Sequence, residues 1–196
     1  MAVEILVEGI TDEYFVRECY RRLGIEVGTV FGKRGVGYVV SRAEGFAVRG
    51  QYSPILILAD FMDVDGACPP VARRELVAND YPLTLVRLAV NEIESWLLAS
   101  RRELARYLGV SLDRVPEVPD DVVDPKRELV NIARDSRKPR IREIFVPKEG
   151  CSSVVGIGYV DGFQEFLTTH WSLESAVENS PSFRKFVDRS RELFLG

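Results

Sequence analysis

The stretch VEILVEGITDEYF, residues 3–15, changes its period half-way. Val3 to Val7 is β-favouring and apolar apart from Glu4, and Glu8-Gly9 interrupts it. Thr11 or Asp12 then caps a segment whose apolar positions Tyr14, Phe15, Cys19 and Leu23 recur at helical spacing, up to Gly24. A strand this apolar is buried on both faces, which is the habit of a parallel sheet whose connections are helices. The same reading repeats downstream. Ile25 to Phe31 is a predicted strand followed by GKRGVG (residues 32–37) and a helix from Tyr38 to Val48. Ile55 to Ala59 is a strand that runs into Asp60, FMDVDGACPP (residues 61–70) is a loop, and Val71 to Asn79 is a helix. Leu83 to Val90 is a strand that runs towards Glu92 and Glu94, and Glu92 to Leu108 is helix-forming with a break near Ser100.

This alternation predicts an α/β fold of the Rossmann-like kind, with a mainly parallel sheet of about four strands flanked by helices. After Gly109 the character changes to a Pro- and Asp-rich connector, PEVPDDVVDPK (residues 116–126), and then to amphipathic segments near Lys126–Arg134, Val160–Thr168 and Ser182–Phe194. The expected organisation is one structural domain, with an α/β core at residues 1–108 and a helical C-terminal half at 109–196 packed on it.

Bulk properties narrow the functional classes. The chain has 196 residues, 46% of them hydrophobic, enough for a well-packed domain. It has no apolar run of the roughly 20 residues that a membrane span needs, and Glu8 comes too soon for a signal-peptide core. A cytoplasmic, membrane-free protein is expected. The cysteines Cys19, Cys68 and Cys151 have neither disulfide-framework nor zinc-ligand spacing. His170 is the single histidine, so histidine-based metal or base chemistry is not indicated. No GxSxG elbow accompanies the serines. A net charge of −4 argues against a surface that coats nucleic acid nonspecifically.

The chemistry concentrates where strands end. Glu8, Asp60 and the Glu92/Glu94 pair follow three predicted strands, and βαβ connections bring such ends to one side of a sheet, where α/β ligands bind. Gathered carboxylates repel one another unless a cation neutralises them, and an all-oxygen set suits Mg²⁺ or Mn²⁺. Each acid taken singly also reads as a helix cap or first-turn residue. Asp63 and Asp65 share the loop after Asp60 and could complete a coordination sphere. On one helix Glu92 and Glu94 would point about 200° apart, so only one faces a common site, with Glu94 preferred. GKRGVG has neither the P-loop nor the dinucleotide-binding glycine order, but Lys33 and Arg34 could touch a phosphate. RDSRKPRIR (residues 134–142) offers Arg137, Lys138, Arg140 and Arg142 as a second phosphate-contacting cluster, or else as a solvated helix end.

Taken together, VEGITDEYFVR at Val7–Arg17, the strand ending at Asp60 and EIESWLLA at Glu92–Ala99 resemble the TOPRIM-like proteins grouped as domain of unknown function family 4276. DPKREL at Asp124–Leu129 and NSPSFRKF at Asn179–Phe186 extend the resemblance along the chain. It implies a TOPRIM-like fold, in which a glutamate after the first strand and a DxD after a later one hold Mg²⁺ for phosphodiester chemistry. Glu8 matches the glutamate and Asp60 the first aspartate. Met62 stands where the second aspartate would be, so either Asp63 or Asp65 substitutes through a shifted loop or the metal site is degraded. The implied function is a divalent-metal-dependent nuclease in mobile-element or phage defence, with Glu8, Asp60 and Glu94 catalytic and Glu8, Asp60, Asp63, Asp65 and Glu92 as metal ligands. The alternative is a noncatalytic binding or regulatory module. Either form is expected to bind nucleic acid weakly alone and to act beside an ATPase partner.

Overall fold

A computed structural model describes residues 1–60, 68–89 and 91–196. The chain divides into two compact units, Met1–Glu92 together with Lys185–Gly196, and Ile93–Arg184. Sequence character changes at 108/109, whereas the units divide at Glu92/Ile93.

The first unit alternates strands and helices: β1 (Val3–Val7), α1 (Ile10–Leu23), β2 (Val27–Gly32), α2 (Val36–Val48), β3 (Ile55–Asp60), α3 (Pro69–Leu76) and β4 (Thr84–Ala89). The four strands form one parallel sheet in the order β2-β1-β3-β4, the α/β fold expected. Burial explains the order. Val3, Ile5, Leu6 and Val7 of β1 and Ile55, Leu56 and Ile57 of β3 are fully buried, as central strands covered on both faces must be. On one face Leu6, Ile57, Val86 and Leu88 pack with Val39, Ala43 and Ala47 of α2 and Ala72 and Leu76 of α3. Right-handed crossovers place α1 on the other face, because β1 to β2 runs in the opposite direction to β3 to β4. There Tyr20 of α1 stacks on Phe186 at 5.9 Å and meets Phe194 edge-on. Its hydroxyl also shares a 3.0 Å hydrogen bond with Ser190. These partners lie on α10 (Pro181–Phe194), whose residues from Lys185 belong to the first unit.

Helix α1 is closed at both ends by local chemistry. Asp12 accepts a hydrogen bond from Gly9 N–H at 2.7 Å, as the third helical residue does in a capping box. At the other end Gly24 adopts φ 74°, Ile25 N–H reaches Tyr20 O and Gly24 N–H reaches Arg21 O, the two bonds of a Schellman motif. That closure takes up Ile25, so β2 starts at Val27 and not at Ile25.

The second unit is helical: α4 (Glu94–Leu98), α5 (Arg101–Leu108), α6 (Pro125–Arg134), α7 (Pro139–Phe145), α8 (Tyr159–Thr169), α9 (Leu173–Asn179) and the start of α10. Trp96, Leu98, Leu129, Ile132, Phe163, Phe166 and Phe183 are buried in it. Trp96, Leu97 and Leu98 make the predicted fourth helix part of this unit, which is why the boundary falls before them. Proline opens α3, α6, α7 and α10, at the position where its missing N–H costs nothing. Among the described residues no helix is long and apolar enough to cross a membrane.

Candidate functional site at the sheet switch point

Strand order reverses between β1 and β3, since the chain leaves β1 towards β2 and leaves β3 towards β4. The crevice outside the carboxyl ends of two such strands is where open α/β sheets bind ligands. Glu8 directly follows β1 and Asp60 is the last residue of β3. The structure brings these two together: Asp60 N–H donates to Glu8 Oε1 at 2.8 Å. Both residues are half-buried.

The loop between β2 and α2 completes this edge. Gly32 sits at φ 103° and Lys33 at φ 62°. Their backbone turns so that Lys33 N–H donates to Val7 O at 3.1 Å and Gly35 N–H to Glu8 O at 3.0 Å. GKRGVG is thereby fastened over the end of β1. Lys33 Nζ pairs with Glu13 at 2.8 Å, and Arg17 binds the same carboxylate at 2.8 Å. Burial works against the charge of Glu13, but hydrogen bonds from Lys33 and Arg17 outweigh it and hold the carboxyl below its usual range. Arg34 and Arg42 lie over the ring of Tyr38 at 5.5 and 5.8 Å, an i, i+4, i+8 stripe of two exposed guanidiniums about one aromatic. Arg34 precedes α2, whereas Tyr38 and Arg42 lie on it, and of the two arginines sequence reading singled out Arg34.

Asp63 and Asp65 lie outside the described residues. Glu92 is half-buried at φ 60° near the end of the first unit and precedes α4, so it shares no helix with Glu94. Glu94 belongs to the second unit, where it is 1% exposed. It accepts a hydrogen bond from Tyr159 Oη at 3.0 Å, and Lys126 Nζ stands 3.6 Å away. Sequence reading missed Tyr159 and Lys126, because no local pattern signals partners so distant along the chain.

The basic run of residues 134–142 is largely engaged within its own unit. Lys138 Nζ donates to the carbonyls of Arg106 and Tyr107 at 2.9 Å each, satisfying the C-terminal end of α5. Arg140 clamps Glu165 of α8 through two bonds of 3.0 and 2.6 Å, and that pairing holds the Glu165 carboxyl below its usual range. Arg142 donates to Ser136 O. Arg137 is exposed.

The donor set at the switch point is all oxygen, which suits a hard cation. Among the described residues no three His, Cys, Asp or Glu side chains form a metal-holding group. Compared with known proteins, the chain matches no family model, no curated protein and no solved structure.

Proposed function

We propose that the edge carrying Glu8 and Asp60 is a site for divalent-metal-dependent cleavage of nucleic-acid phosphodiesters. The observation that carries this reading is the hydrogen bond from Asp60 N–H to Glu8 at the switch point, which holds the Glu8 carboxylate against the residue that bears the second one, where α/β ligands bind. The resemblance to TOPRIM-like proteins supports the same reading. Glu8 and Asp60 would hold Mg²⁺ or Mn²⁺, with Asp63 or Asp65 as the further ligand from the loop after β3. Such a cation supplies Lewis-acid polarisation of a phosphoryl oxygen. Lys33 and Arg34, on the loop fastened over β1, would meet flanking phosphates. At a net charge of −4 the chain alone would hold nucleic acid weakly, so a cytoplasmic ATPase partner that delivers substrate, as in mobile-element or phage defence, belongs to the proposal.

A second reading, a noncatalytic binding or regulatory module, is favoured by Met62, which stands where the second acid of a DxD would be, and by the net charge of −4. Glu8→Gln and Asp60→Asn separate the readings. Gln keeps an oxygen that accepts from Asp60 N–H, so stability should stay within about 0.5 kcal/mol of the parent chain. Cleavage of plasmid and single-stranded DNA with Mn²⁺ should fall at least about tenfold in both variants. Equal cleavage by parent and variants would expose a contaminant and end the nuclease reading. Absence of cleavage by the parent chain at low salt and at DNA concentrations that saturate its weak binding would leave the noncatalytic one.

A further inference from the structure

At the sheet edge formed by β4, the first unit carries a groove of about 570 Å³ that the proposed chemistry does not use. Thr84, Leu85, Val86 and Arg87 all line it. Successive side chains on a strand point to opposite faces, so a cavity on one face would touch every second residue. A cavity that touches four in a row runs along the strand's edge. That edge is open to pairing: β4 is last in the sheet order, and among the described residues it pairs with β3 alone. Arg73 of α3 and Tyr81 wall the groove at one side, and Arg189, Glu192 and Leu193 of α10 contribute the rest.

Charge defines what fits. Arg73, Arg87 and Arg189 face Glu192 as the one acidic residue lining the groove. Arg73 is bridged to Asp80 at 2.6 Å and Arg189 to Glu192 at 2.5 Å, but those carboxylates are 63% and 66% exposed. Ion pairs that exposed are weak and exchange partners readily. A second copy of this chain pairing through β4 would set the same arginines against each other, so like charge disfavours self-association there.

We propose that this groove takes an extended acidic peptide, which adds a strand to β4 through its backbone while its carboxylates meet Arg73 and Arg189. Strand addition supplies affinity through main-chain hydrogen bonds, and the side-chain surroundings supply specificity. The site lies beside the first four of the six residues of β4 and does not depend on the metal reading at the carboxyl ends of the strands.

The test is fluorescence anisotropy of the full chain with a fluorescein-labelled peptide of alternating aspartate and valine, about six residues long. Saturable binding is expected at peptide concentrations below about 1 mM. Binding should weaken about tenfold in the double variant Arg73→Glu/Arg189→Glu, with the unfolding transition confirming that the variant is folded. A peptide N-methylated at alternate residues keeps its charge and loses strand pairing, and it should bind about tenfold more weakly. Equal binding of the N-methylated peptide would show that charge alone acts and would overturn strand addition. The proposal also fails if a lysine-valine peptide binds as well, if pyrophosphate binds the groove more tightly than the peptide, if the double variant binds normally, or if the parent chain does not bind the peptide.

Discussion

Gly32→Ala is expected to destabilise the protein by about 3 kcal/mol or more, a loss large enough to identify a specific backbone conflict. Gly32 closes β2 at φ 103°, where a side chain is strained whatever the space around it. Space is lacking too, since a Cβ would stand 1.9 Å from Val7 O. That oxygen cannot yield, because it also accepts from Lys33 N–H in the turn that fastens the loop over Glu8. Gly24→Ala provides the control. Gly24 has φ 74° with nothing within 4 Å of a Cβ, so it carries only the conformational cost of about 1 kcal/mol. Urea unfolding of both variants decides the matter, and the account of the loop fails if Gly32→Ala costs no more than Gly24→Ala.

Trp96→Ala should cost about 3–5 kcal/mol, the range for deleting a large buried ring. Trp96 is fully buried in the second unit and packs on Phe183 with ring centroids 5.4 Å apart. Its Nε1–H donates to Ser182 Oγ at 2.7 Å. Ser182 Oγ and N–H in turn meet the Asp120 carboxylate at 3.0 and 2.8 Å. Alanine therefore opens a cavity and removes a donor from a buried polar network at the start of α10. Trp96→Phe keeps much of the ring and removes only the donor, so about 1–2 kcal/mol is expected from it. Denaturant unfolding gives both numbers, and a Trp96→Phe loss equal to that of Trp96→Ala would assign the stability to the hydrogen bond and not to packing.

Sequence pattern revealed the sheet because β1 is apolar but for Glu4 and β3 is apolar up to Asp60, and Glu8-Gly9 marks the change from strand to helix. The helix starts at Pro69, Pro125 and Pro181 were close to legible, since proline at a first helical turn is a positional signal. α7 and α9, seven residues each, were not, because helices this short depend on caps and tertiary burial more than on periodicity. Candidate acids could be picked by their place after strands. Which of them meet depended on strand order, and it is the pairing of β1 with β3 that puts Glu8 next to Asp60. For Glu94, the partners Tyr159 and Lys126 arise from folding of residues 93–184, and nothing near Glu94 in the chain announces them. The basic run was visible as charge, but its use in holding the end of α5 and in clamping Glu165 comes from geometry that a charge count does not contain.

The proposal depends on a cation at Glu8 and Asp60, and calorimetric titration of the full chain with MnCl₂ tests that most directly. The parent chain should show saturable binding that is lost in both Glu8→Gln and Asp60→Asn, while circular dichroism shows the variants folded. Absence of binding by the parent chain, or binding unchanged in the two variants, would contradict it.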